Sequence, residues 1–255
     1  MASFLRLDEM TRDGLREMAP RATVVLPAAS TEQHGPHLPL QTDRALTEAV
    51  ALRAVETAGA RVPVVLAPTL AFGSSHHHLV YAALSLRSST FIAVLNDLAD
   101  SLVGAGFRRL FVLNGHGGND ECVKLLAKDL VLRSPVAIAA ASYWDVGGAA
   151  ARVAGEAGLK NFPGHSGGFE TALMMAVAPQ LVRLDRLPSG DPNPPRITGR
   201  EVASGVAVQK GGEWERIGGY TDSPTGATAE LGNRLLAAIA DAVADALVAF
   251  HKAAG

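Results

Sequence analysis

The 255-residue chain holds one cysteine, Cys122, which excludes an intrachain disulfide framework and fits a reducing compartment. Aromatic residues make up only 5%, so the core must be assembled from small aliphatic side chains packed closely together. Charge of one sign is lacking too. A formal net charge of −2 gives no general attraction to phosphate backbones, and no nucleic-acid partner is expected. Long apolar runs are missing as well: the Ala-rich stretch 235–250 is broken by Asp241 and Asp245, too short a run to span a bilayer. The N-terminal segment has the mixed charge of an amphipathic helix and no apolar targeting core, so neither a leader nor a membrane partner is expected and the cytoplasm is the expected compartment. What is present, 48% hydrophobic and 19% charged residues, is the composition of a folded globular protein, read as one domain over 1–255.

Short β-branched runs alternate with longer helical patterns, which predicts an α/β fold with a mainly parallel central sheet flanked by helices. Strands are expected at 22–27, 62–67, 109–113 and 135–141, nearly continuous in apolar residues, as strands covered on both faces should be. Helices are expected at 43–58 with Thr42 as N-cap, at 88–103, at 119–132, at 170–178 and at 235–250. The second half is less regular. The DPNPP run at 191–195 excludes regular structure, and glycines around 206–209 suggest a hairpin.

Seven of the eight histidines lie between positions 34 and 165, and they gather in loops that follow predicted strands. In an open α/β sheet such loops share the rim at the carboxyl ends of the strands, where ligands bind. The first loop, STEQHGPHLPLQTD (30–43), places Glu32 and His34 two residues apart, on one side of an extended segment, and returns Asp43 at the start of a helix. A carboxylate, imidazole and bridging carboxylate suit Zn, Mn or Fe, although taken singly Asp43 could be a helix cap and His37 a packed or supporting ring. The second loop, LNGHGGND (113–120), flanks His116 with glycines; it lacks a P-loop lysine and a G-x-G-x-x-G spacing, so a metal ligand is favoured over a phosphate cradle. The third, GHSGGFET (164–171), brings Glu170 as a fifth ligand or a helix-start acid, with His165 as a proton shuttle. Together these residues would hold two divalent metal ions of the kind that activate water and polarise an amide carbonyl.

With these motifs, ASYWD (141–145) and HSGGFETALMMAVAPQLVRLDRL (165–187), the chain resembles the creatininase (creatinine amidohydrolase) family, weakly again at SPTGATAELG (223–232). The resemblance implies a metal-dependent hydrolase of C–N bonds other than ordinary peptide bonds, acting on a small molecule and assembled as a homo-oligomer, typically a hexamer. It places Glu32, His34, Asp43 and His116 on family metal ligands with Asp43 as the bridge, His165 on the catalytic histidine and Trp144 beside the substrate. It also marks departures. Creatininase has a glutamate where this chain has Gly118, so Glu170 is expected to complete the second site. A glutamate and a second tryptophan of creatininase correspond to Gly164 and, roughly, Asn161, which argues against creatinine as substrate. LVYAALS (79–85) replaces the usual G-F-P-G-T-L-S directly after the histidine run 76–78, where His77 and His78 could contact substrate. Within the family, a mycofactocin-type precursor-peptide peptidase and a formylaminopyrimidine deformylase are the alternatives; the latter needs phosphate-binding groups such as Arg44 or Arg87. From a different class, a non-catalytic binder of a phosphorylated ligand remains open.

Overall fold

A computed structural model describes residues 4–159, 161–188, 206 and 208–255. Its centre is a five-stranded, wholly parallel sheet of order β1-β3-β2-β4-β5, formed by Phe4–Arg6 (β1), Thr23–Ala28 (β2), Val64–Leu66 (β3), Arg109–Asn114 (β4) and Ala137–Ser142 (β5). The expected α/β architecture is therefore the one observed.

Alternation along the strands splits the core in two. Val25, Val64, Leu66, Phe111 and Leu113 face one layer, made of the helices Thr42–Gly59 (α2), Ala149–Glu156 (α5), Gly168–Val177 (α6) and Ala229–Ala253. Val24, Leu26, Val65, Leu110 and Val112 face the other, made of Arg12–Met18 (α1), Ser88–Gly104 (α3) and Asp120–Arg133 (α4). A short helix, Glu213–Arg216 (α7), precedes the C-terminal helix, here α8. The aliphatic side chains of both layers are nearly solvent-free, which is where an aromatic-poor chain obtains its stability.

Several expected boundaries shift. The N-terminal segment is not one amphipathic helix: residues 4–6 form an edge strand in register with β3, and the helix begins only after Thr11, whose side chain accepts from the Gly14 amide. β3 is shorter than 62–67. Thr42 is the first residue of α2 and not its cap; its hydroxyl donates backward to the Pro39 carbonyl. Helix α6 starts two residues earlier than expected, where Asp222 accepts from the Gly168 amide. α8 begins at Ala229 because Thr228 caps it by accepting from the Leu231 amide. Residue 207 of the expected hairpin and the whole DPNPP run lie outside the described residues, and Val206, Val208 and Gln209 belong to no strand.

The path of the chain fixes where a site can form. From β2 it passes through α2 to β3 on one side, then crosses through α3 to β4 on the other, so the connections diverge between β2 and β4. A crevice opens at the carboxyl ends of two such strands.

Candidate metal centre and substrate cavity

The loop after β2 supplies the first donors. Glu32 and His34 are held extended because the Glu32 amide donates to the Leu40 carbonyl, the Gln33 amide donates to the Ala82 carbonyl, and isolated bridges join Glu32 to Ala83 and His34 to Leu38. This puts both side chains on the crevice side, as their spacing predicts. Asp43, in the first turn of α2, completes the group from β2, and His116 enters from the loop after β4. Glu170 arrives from the first turn of α6. These five, drawn from three distant segments, converge.

Asp43 lies at the centre. One of its carboxylate oxygens is 3.0 Å from His34 Nε2 and the other 3.0 Å from His116 Nδ1. On the His34 side, Glu170 Oε1 stands 3.7 Å from the same Nε2. On the His116 side, Glu32 Oε1 is 3.3 Å from Nδ1. The donor atoms of His34, Asp43 and Glu170 form one compact group; those of Glu32, His77 and His116 form another, and those of Glu32, His34 and His165 a third.

Hydrogen bonds behind these side chains decide which atoms point inward. His34 Nδ1 faces the Glu32 carbonyl at 3.1 Å and must donate to it, leaving Nε2 bare. His116 Nε2 faces the Ser74 carbonyl at 3.2 Å, leaving Nδ1 bare. Glu170 Oε2 accepts from the Ser166 amide, so Oε1 is the oxygen that remains. An imidazole anchored by its outer N–H and presenting its inner nitrogen is the usual state of a metal-ligating histidine.

Both oxygens of Glu32, His34 Nε2 and Asp43 Oδ2 are buried with no hydrogen-bond partner. Leaving charged or polar atoms so is costly by several kcal/mol per ion unless something else compensates. A donor set of three carboxylates and two imidazoles, unsatisfied and within a few ångströms, fits a divalent metal site.

Without cations the group polarises itself. Burial alone would lower the His34 and His116 pKa values, but the carboxylates around them (Asp43 and Glu170, and Glu32 and Asp43) raise both well above the ordinary histidine value. Asp43 is correspondingly lowered: burial opposes its charge, and His34 and His116 outweigh burial. Glu170 is raised, by burial first and by Asp43.

His165 differs. Its Nε2–H donates to the Gln33 carbonyl at 3.0 Å, which turns Nδ1 toward the centre, 3.7 Å from Glu32 Oε1. Burial and then the neighbouring His34, His78 and His116 push its pKa well down, so the ring is neutral with an open acceptor nitrogen. His78 presents Nε2 to Glu32 at 3.5 Å while its Nδ1 accepts from Gln33 Nε2 at 2.9 Å, and its pKa falls to about 3 through burial. His77 stacks parallel to His116 at 5.9 Å between ring centroids and falls to about 4, again through burial first. His37 stands apart from the donor groups: its Nε2 meets the Thr171 hydroxyl at 2.9 Å.

The centre opens into a cavity of about 880 Å³ that His77, His78, Trp144 and His165 all line. Neither Arg44 nor Arg87 lines it, and among the described residues Lys210 is the only lysine or arginine that does. Arg44 instead donates to the Gln41 side chain. Gly118 borders the cavity, and a Cβ there would come within 2.2 Å of the Ser74 carbonyl and 2.6 Å of His116 Nε2. A side chain there would have to displace the Ser74 backbone, so in this arrangement Glu170 is the better placed source of a further carboxylate.

Sequence reasoning missed Gln33 and Trp214. Gln33 lies between two expected ligands yet points away from them. Its amide nitrogen reaches His78 and, at 2.5 Å, the Gly219 carbonyl, while its oxygen accepts from the Gly35 amide. Trp214, on α7, lines the cavity. A tryptophan just after a glycine pair was the available signal.

Comparison with known proteins agrees with the geometry. The creatininase family (creatinine amidohydrolase) matches residues 8–247. The mycofactocin precursor peptide peptidase of Mycolicibacterium smegmatis is 32% identical over 243 residues, 94% of this chain and 89% of that protein. The creatinine amidohydrolase of Pseudomonas putida is 32% identical over 189 residues, 68% of this chain and 70% of that protein. A mutant creatininase complexed with creatine superposes with a TM-score of 0.78 at 27% identity, covering 94% of this chain and 96% of the other. A manganese creatininase (TM-score 0.70, 26% identity) and a zinc–zinc mutant form (TM-score 0.72, 26% identity) each cover the same shares, 94% and 96%.

Proposed function

Because the chain belongs to the creatininase family of amidohydrolases, we propose that it hydrolyses an amide C–N bond at a pair of divalent ions held by Glu32, His34, Asp43, His116 and Glu170, and that the amide is carried on an extended, peptide-like substrate. The observation that carries the metal assignment is the placement of the two Asp43 oxygens, each 3.0 Å from a histidine of a different side of the centre. Zn, Mn and Fe all suit this donor set. Support for the extended substrate comes from the cavity, whose volume of about 880 Å³ lies toward the upper end of the range for ligand sites and far exceeds a single small ring. The relatives named as precursor-peptide peptidases point the same way. Among the described residues Lys210 is the one lining cation, and neither Arg44 nor Arg87 joins it, which weighs against a nucleotide deformylase or a binder of phosphorylated ligands.

Bound divalent ions would polarise the amide carbonyl and lower the pKa of water. The protein does the rest. Asp43 and Glu32 keep the two histidine-bearing walls at a fixed separation, and the sheet holds both in place. His165, neutral and open at Nδ1, takes a proton from the attacking water and delivers it to the leaving nitrogen as the C–N bond breaks, so water's hydroxyl ends on the acyl carbon and its proton on the amine. The Gln33 carbonyl fixes the ring's tautomer during both transfers. Trp144, His77 and His78 bound the substrate.

We further read the whole chain, 1–255, as one amidohydrolase domain that acts in the cytoplasm as a homo-oligomer, a hexamer by analogy with its family. Exposed Phe72, Leu79, Tyr81 and Leu84 on one loop supply apolar surface for self-association. The test is metal content together with turnover of creatinine, formamides and short peptides. Stoichiometric metal with peptide cleavage is the expected result; metal-free protein, or cleavage of creatinine alone, would contradict it.

A further inference from the structure

The wall above the centre is formed by histidines whose outer faces meet one indole. Trp214 lies 4.3 Å from His78, 5.1 Å from His77 and 5.4 Å from His165 between ring centroids, with steep interplanar angles to His78 and His165. The indole is half-buried and lines the cavity, so part of its surface is covered by imidazoles and part is open to whatever enters. Its backbone is tied to the site. The Gly219 carbonyl accepts from Gln33 Nε2, and the Tyr81 hydroxyl donates to the carbonyls of Trp214 and Glu215 at 3.5 and 3.4 Å. Gly219 adopts a left-handed φ of +81°, and a Cβ there would fall 2.9 Å from the Tyr81 ring and 3.0 Å from Gln33, so the strap can approach only with glycine at that turn.

We propose that Trp214 is a specificity-determining residue that packs against a planar apolar group, an aromatic side chain next to the scissile amide, and so selects substrates carrying one. This rests on the amidohydrolase reading for the identity of the scissile bond, but the contact itself does not depend on turnover. Indole presents a large, rigid apolar face at little entropic cost, and aromatic pairs gain beyond simple burial when their rings can meet edge-on or offset. Three adjacent histidines pack against the indole, and the remainder of its half-buried surface borders the cavity. An aliphatic or absent side chain would leave that surface against water.

The chain has two tryptophans, so the emission response that is present in the natural protein and absent from Trp214→Phe is the part that Trp214 reports. In the metal-loaded natural protein, N-acetylphenylalaninamide should change that emission saturably, at a concentration about tenfold or more below that needed by N-acetylglycinamide. Trp214→Ala should raise KM for phenylalanyl amides about tenfold while kcat moves less than about threefold, and Trp214→Phe should recover most of the loss. An emission that never responds, or responds equally to both amides, overturns the proposal. So does a Trp214→Ala variant that loses kcat on every substrate alike, which would make the indole a mere seal over the histidines. If no amide is hydrolysed while the emission still discriminates, the contact stands and the amidohydrolase reading is the part that fails.

Discussion

The floor of the cavity and its roof are held in unlike ways. Glu32, His34, Asp43 and His116 are each no more than 4% exposed; Asp43 opens α2, and the other three lie on the loops that follow β2 and β4, strands paired over six residues. Trp214, half-buried, belongs to a four-residue helix, with side-chain hydrogen bonds from Gln33 and Tyr81 tying its strap to the rest. A buried, sheet-anchored floor holds donor atoms to the tolerance that metal chemistry requires. The roof contributes no atom to the donor groups, so reaction type should follow from the floor and substrate choice from the roof.

If the division holds, floor substitutions abolish turnover outright. Asp43→Ala should lower kcat/KM by more than about a thousandfold, beyond the 10- to 100-fold typical of residues that only support ligands. Next in size is His165→Ala. Steady-state kinetics should show kcat down at least about a hundredfold with metal content retained, because the chain would lose its proton carrier and no ligand. Loss of metal in this variant would move His165 into the ligand set, a role its open Nδ1 near Glu32 also permits.

Smaller effects sharpen the boundary between the two regions. Gly118→Ala forces a Cβ against the Ser74 carbonyl and should cost on the order of 1–3 kcal/mol, read as a lower thermal midpoint. Gln33→Ala cuts the tie between floor and strap. It should raise KM by several-fold, with a smaller change in kcat, if positioning of the roof is its main role; a collapse of metal binding would instead assign Gln33 to the floor.

The smallest effect concerns His37, beneath the floor. Burial, then His34, lowers its pKa from 6.5 to about 4. Above about pH 6.5 it is neutral whether folded or unfolded. As pH falls from 6.5 toward 4 the unfolded chain gains a proton that the folded chain refuses, so this contribution to stability declines. Urea midpoints measured at pH 7 and 4.5 should therefore drop more for the natural protein than for His37→Gln.

The floor was legible in the sequence to a degree the roof was not. Glu32, His34 and His116 sit in loops that follow apolar strands, Asp43 opens the helix after the first of them, and the order of elements alone places these segments on one rim. Glu170 could be proposed but not placed, since its approach depends on how α6 docks 127 positions after Asp43. The edge strand 4–6 escaped detection because three residues carry no periodicity, and only pairing with Val64–Leu66 creates it. Trp214 and Gln33 were not placed for a related reason: their partners, His78 and Gly219, are remote in sequence, and the glycine pair before Trp214 marks a turn without announcing the contact. Arg44 and Arg87 show the converse, since charge type without position suggested a role that the cavity does not give them.

We propose that Asp43 would serve two metal sites at once. Metal analysis of the purified protein beside its Asp43→Ala and His34→Ala variants tests it most directly. Two divalent ions per chain are expected in the natural protein, none in Asp43→Ala, and one in His34→Ala, retained through Glu32, Asp43 and His116. Equal loss in both variants, or a single ion in the natural protein, would contradict it.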